Sequence, residues 1–119
     1  MCGHFIKNTG FCTDPLGMED RRILDSQLSA SSMWASPHFA NASRLNGQFA
    51  WASAQNDLDQ WIQVNFLVSR AVSGVVVQGQ GNEYDNWVKS YKVEFSNGGS
   101  SWEYVQDANQ VDLVRCNCF

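Results

Sequence analysis

Between Gln60 and Gly79 the chain reads QWIQVNFLVSRAVSGVVVQG, and its apolar positions change period halfway. Ile62, Val64 and Phe66 alternate with Gln63 and Asn65, the pattern of a strand with one buried face. Val75, Val76 and Val77 instead form a continuous β-branched run, expected of a strand covered on both sides. Leu67-Val68-Ser69-Arg70 lies between them and carries the one charge of the stretch. The pattern predicts a central hairpin whose apolar face needs an opposing layer from the rest of the chain.

The flanking pattern agrees with an all-β chain. Ile23 and Leu24 lead into a weak strand over residues 27–31, and Trp87 to Phe95 reads as another, with Val88, Tyr91, Val93 and Phe95 as core candidates. Ser96-Asn97-Gly98-Gly99-Ser100 is the clearest hairpin turn, because Asn-Gly and Gly-Gly tolerate positive φ, and Trp102 to Val105 is its returning strand. Trp51, Trp61 and Trp102 abut strands and are expected in the core, whereas Trp87 fits either core or loop. Two stretches break the alternation. Residues 31–48 mix small polar residues with Met33, Trp34, Phe39 and Leu45, and residues 80–86 read QGNEYDN. No helical period of useful length, repeat or low-complexity tract is present.

Composition narrows the class. A chain of 119 residues is one domain, and its low charged fraction of 17% is made up by the Ser, Asn, Gln and Gly of a turn-rich β protein. The net charge of −4 and the scattering of its eight Lys and Arg argue against nucleic acid and against simple attraction to an anionic membrane. The longest aliphatic run is three valines, far short of a transmembrane segment. No apolar run follows Met1-Cys2-Gly3-His4, so this start is not a secretory signal.

Several segments taken together resemble the discoidin, or coagulation factor V/VIII C-type, domain family. They are CTDPLGM (12–18), residues 23–32, Arg44-Leu45-Asn46, Trp51, QWIQV (60–64), residues 74–79, WVKSY (87–91) and SNGGSSW (96–102). The resemblance implies a discoidin-like β-sandwich, a distorted jelly-roll barrel with protruding ligand-binding loops at one end. It also implies a non-catalytic module for extracellular adhesion. Family members continue for some forty residues more, so the resemblance implies a domain lacking its last strands and exposing a sheet edge. It divides the chain into a leader or linker (1–11), a partial discoidin-type domain (12–115) and an atypical Cys-containing tail (116–119). An extracellular module without a signal reads as part of a larger chain.

The candidate site follows from that alignment. Met33, Trp34, His38 and Phe39 fall on the first protruding loop, Asn46, Gln48 and Phe49 on the second, and Asn82, Glu83, Tyr84, Asp85 and Asn86 on the third. The aromatic side chains of the first loop either fold back as a lid or point outwards, to enter a bilayer or stack on a sugar. Family precedent allows a cell-surface glycan, a protein or an anionic phospholipid membrane as partner. The acidic third loop and negative charge tilt the expectation towards glycan or protein. The competing expectation is a structural remnant or spacer that binds nothing.

The remaining chemistry is sparse. Asp57 and Asp59 are candidates for a calcium ion, though two acids at this spacing are common in turns, and no cofactor is expected. Cys116-x-Cys118 lacks the spacing of a structural zinc site, so metal is not expected there. In the family Cys12 would be disulfide-bonded, and Cys116 or Cys118 are the candidate partners here. Asn41-Ala42-Ser43 is a glycosylation sequon beside the first loop. No Ser, Cys or carboxylate stands in a motif that makes it a nucleophile or paired acid and base.

Overall fold

The structure, a computed structural model, describes residues 14–80, 86–107 and 109, together with the backbone of residues 2–4 and 114–116. It divides into two compact units, residues 1–86 and 87–119. Among the described residues the regular elements are short strands and two single-turn 3-10 helices.

In the first unit, β1 (Cys2–His4) precedes a 3-10 turn at Asp25–Gln27 and β2 (Leu28–Ala30). β2 pairs antiparallel with β3 (Ile62–Val64), with Leu28 opposite Val64 and Ala30 opposite Ile62. The ladder is continued at both ends. Asn65 N–H donates to the Gln27 carbonyl at 2.8 Å and Ser31 N–H to the Trp61 carbonyl at 3.0 Å. The Gln27 side-chain amide also donates to the Asn65 carbonyl at 2.7 Å. This register turns Leu28 inward onto Met18 and Ile23, and Leu16, Ala40, Val64 and Phe66 pack around those three.

A cation sits beside this apolar cluster. Arg44 is 4% exposed. Its guanidinium donates to the carbonyls of Met18 at 2.8 Å and Ile23 at 2.9 Å, and to Asp25 Oδ1 at 2.6 Å. Residues 18–25 form no strand or α-helix, so their carbonyls need side-chain partners if buried. Arg44 supplies those partners and fixes the path of the chain over the core. Its Nε, also buried, has no partner among the described residues.

The expected hairpin between residues 62–66 and 75–77 is not formed. The Asn65 side chain accepts from Leu67 N–H at 2.8 Å, and Leu67 adopts φ +65°. That turn takes the chain away from β3, and no strand follows until β4 (Val76–Gln78). β4 pairs instead with β1, Cys2 lying opposite Gln78 and His4 opposite Val76. Alternation specifies which face of a strand is buried, not which strand it pairs with. Val75 to Val77 are half-buried, not covered on both sides as their run implied.

The second unit contains β5 (Ser90–Lys92), β6 (Glu94–Phe95), β7 (Glu103–Tyr104) and β8 (Val114–Cys116). β5 pairs antiparallel with β8, and β6 with β7. The strand expected over 87–95 is thus two short strands with different partners, broken at Val93. The hairpin at 96–100 forms where its turn residues place it. Ser96 Oγ accepts from the N–H groups of Gly98 and Gly99, and Gly99 adopts φ +76°. Lys92 Nζ lies 4.6 Å from the centre of the Tyr104 ring.

The tryptophans divide differently from expectation. Trp51 is buried, but Trp61 and Trp102 are both more than two-fifths exposed. Trp61 is held by its backbone, whose N–H and carbonyl both bond to Ser31. Such anchoring at a strand end does not require the ring to turn inward.

Candidate functional site

The first loop is pinned at its base before its aromatic residues diverge. Ser31 Oγ and Ser32 Oγ both donate to Gln60 Oε1, at 2.9 and 2.5 Å. Ser32 Oγ also accepts from Ala54 N–H at 3.1 Å, and its carbonyl accepts from the Trp51 indole N–H at 2.8 Å. Buried Trp51 is therefore a peg, with its polar edge spent on the loop it supports.

Higher up, the loop lies along residues 50–52. Trp34 N–H donates to the Ala52 carbonyl at 2.8 Å, and Ala52 N–H donates to the His38 carbonyl at 3.5 Å. His38 N–H closes a turn on the Ala35 carbonyl at 2.8 Å. His38 Nδ1 lies 2.8 Å from the Ala50 carbonyl, which can only accept, so Nδ1 carries the proton. These bonds hold the backbone beneath Trp34 and the ring of His38.

The second loop is shaped by a tight turn. Gly47 N–H donates to the Arg44 carbonyl at 3.0 Å, and Asn46 takes φ +55°, a conformation Asn tolerates. A Cβ on Gly47 would lie 2.9 Å from the Arg44 carbonyl oxygen, so the turn needs glycine. Phe49 leaves this turn and meets His38 edge-on, with ring centres 6.4 Å apart. His38 also meets Trp34 at 5.5 Å in a tilted arrangement. Trp34, His38 and Phe49 thus form one run of rings across two loops.

Most of that apolar surface faces solvent. Trp34 is 66% exposed, and Met33, Phe39 and Phe49 are also exposed. The expectation left open whether these aromatic side chains fold back as a lid, and their backbones are fixed while their rings stand out. Exposed apolar side chains on an ordered support form a surface able to bury area against a partner.

The other site candidates are placed as follows. Asn46 is bonded away from the ring cluster: its N–H donates to Gln78 Oε1 at 2.9 Å and its amide to Glu19 Oε1 at 2.8 Å. Gln48 is exposed. Asn86 accepts from Gln80 N–H at 2.8 Å through its carbonyl. Asn82, Glu83, Tyr84 and Asp85 of the third loop lie outside the described residues, as do Cys12 and Cys118. The backbone of Cys116 pairs with Ser90. Asp57 accepts from Asp59 N–H and from the Gln60 amide, both at 2.9 Å, and these bonds hold its carboxyl below the usual carboxylate range. No group of three or more His, Cys, Asp or Glu converges among the described residues.

The sequence carries one further signal of this site. Residues 26–43 and 45–56, the segments that build both loops, contain no Asp, Glu, Lys or Arg, so His38 is their only titratable side chain. Arg44, between them, is buried and bonded to Asp25, whose carboxyl it holds below its ordinary range. The net negative charge of the chain is therefore carried elsewhere.

The chain matches the F5/8 type C domain over residues 27–117. It belongs to that family. The fold class is accordingly all-β, as the strands of both units show. The chain is 37% identical over 112 residues to coagulation factor V of Mus musculus, covering 87% of this chain and 5% of that protein. It is 36% identical to the EGF-like repeat and discoidin I-like domain-containing protein 3 of Homo sapiens, covering 83% and 23%. Lactadherin of Bos taurus is 38% identical, covering 83% and 25%. The chain therefore spans a quarter or less of each of these relatives. Among the described residues no helix is long and apolar enough to cross a membrane.

Proposed function

We propose that this chain is a non-catalytic extracellular module that attaches a larger protein to cell surfaces, docking on phospholipid membrane through its first two loops. The observation that carries this reading is the exposed run of Trp34 and Phe49, with Phe39 and Met33 beside it, on a backbone fixed by residues 50–52. Burying one such side chain fully contributes about 1.5–3 kcal/mol. Because the support is already ordered, less of that gain is lost to immobilising the loop. A few partly inserted side chains still give weak binding, strengthened when a larger chain presents further modules. Family membership supports the non-catalytic reading.

The charge distribution predicts how this binding behaves. A chain of net charge −4 gains nothing from attraction to anionic lipid, so insertion of uncharged loops drives docking. Salt screens the residual repulsion and leaves apolar burial intact. Co-sedimentation with phosphatidylcholine vesicles containing phosphatidylserine should therefore persist at high ionic strength and be lost in Trp34→Ala. Absence of vesicle binding would return the reading to a glycan or protein ligand, which the acidic residues Glu83 and Asp85 favour.

A further inference from the structure

Asn41 sits in the second 3-10 turn, Ala40–Ala42, with its residue exposed, while Ser43 of the same sequon is 0% exposed. Ser43 Oγ donates to the Ala40 carbonyl at 2.5 Å, and Ser43 N–H donates to the same carbonyl at 3.1 Å. The acceptor amide of the sequon therefore faces solvent, while its hydroxyl is closed inside a turn. The Asn-x-Ser pattern requires the Ser as well as the Asn, and the Ser43 hydroxyl is out of reach once the turn has closed over it.

We propose that Asn41 is an N-glycosylation site, modified before the turn over residues 40–43 closes, and that its glycan flanks the first loop. The proposal rests on the extracellular reading above, which takes the chain through a secretory compartment. In the transfer, Asn41 Nδ2 bonds to the anomeric carbon of an oligosaccharide carried on a lipid pyrophosphate. The anomeric carbon–oxygen bond breaks, the pyrophosphate leaves with the electron pair, and one Nδ2 proton passes to a base of the transferase. The product amide keeps one N–H. In the folded chain Asn41 Nδ2 donates to Asp25 Oδ2 at 3.4 Å, and one N–H suffices for that bond. Glycosylation is thus compatible with the closed turn once it has formed.

The location has a consequence for the loop. Phe39 is two residues before Asn41, within about 7 Å along the backbone. A glycan at Asn41 restricts how closely Phe39 approaches a membrane. The modified chain should need several-fold more lipid for half-binding than the unmodified one.

The test uses the full chain secreted from mammalian cells behind an added signal peptide, in wild-type and Asn41→Gln forms. Asn41 is exposed, so this variant is expected to fold. Wild type should carry a glycan that peptide:N-glycosidase releases, leaving an isotopic label at Asn41 in heavy-oxygen water, and the variant should carry none. Folded chain made in bacteria should not be modified by microsomal transferase supplied with lipid-linked oligosaccharide. A secreted wild-type chain bare at Asn41, or efficient transfer to the folded chain, would overturn the proposal. Vesicle binding is measured separately on the unglycosylated variant. If that variant fails to bind, the membrane reading falls while the glycosylation result stands.

Discussion

Residues 14–80 and residues 87–107 are both rich in aromatic and β-branched side chains, yet they use them differently. In the first region Met18, Ile23, Leu28, Ala50 and Trp51 are buried, with Arg44 and Ser43 among them. In the second, no described residue is buried: Val88, Tyr91, Val93 and Val105 are half-covered, and Trp87, Phe95, Trp102 and Tyr104 are exposed. Hydrophobicity is comparable, so it does not decide burial. The first region differs in having polar partners for irregular backbone. Arg44 satisfies the carbonyls over the core, and the Trp51 indole satisfies the loop. Those bonds allow nonrepetitive chain to be packed inward with the Met18, Ile23 and Ser32 carbonyls paired.

The sharpest break in that comparison comes from paired tryptophan truncations. Trp51→Ala should cost about 3–5 kcal/mol, by creating a cavity and releasing the Ser32 carbonyl. Trp102→Ala should cost under about 1 kcal/mol, since its ring is already largely in water. Urea unfolding of both variants measures the difference.

Arg44→Met comes next. It keeps much of the side-chain volume but strands the Met18 and Ile23 carbonyls, and should cost about 2–4 kcal/mol by the same measurement. A linked pH effect resides in Asp25. Its folded pKa lies below the ordinary value, chiefly through the Arg44 hydrogen bond, opposed by desolvation. The folded state therefore binds this proton more weakly than the unfolded chain. Stability from Asp25 is fully present above the unfolded pKa of about 4 and is lost as pH falls through the lower folded value. Asp25→Asn should lower stability at neutral pH and flatten its decline below about pH 4. An acid limb as steep as that of the parent would assign the decline to Asp20 or Asp57, whose pKa values are also lowered.

The smallest effects belong to the hairpin turn of the second region. Gly99 adopts φ +76° with open space around it, so Gly99→Ala should cost about 1 kcal/mol in backbone strain alone. Gly98 also has open space but no positive φ. Gly98→Ala should be neutral or stabilise by about 0.5 kcal/mol.

What the sequence disclosed depended on how local the interaction was. The turn at 96–100 was legible because Ser96, Gly98 and Gly99 make its bonds among themselves. No hairpin forms over 60–79 because β3 finds its partner more than thirty residues earlier, in β2. An alternating pattern cannot name a distant partner. Family resemblance names the first two loops but carries no information on the ring contacts that join them. The Ala52 carbonyl meets Trp34 N–H backbone to backbone, which leaves no mark on residue identity, and the Ala50 carbonyl meets the His38 ring, whose partner the sequence does not name. The charge-free character of the loop segments was visible throughout and becomes meaningful only once those segments are seen to pack together.

The account turns on whether Trp34 enters the apolar part of a bilayer from its fixed support. The direct measurement is tryptophan quenching by vesicles whose acyl chains carry bromine, comparing the parent chain with Trp34→Phe. Phenylalanine keeps an apolar ring at the position, so some binding should survive. The account predicts quenching on binding for the parent and a large loss of that quenching in the variant at equal bound fraction. Bound parent protein that is not quenched, or quenching unchanged by Trp34→Phe, would contradict it.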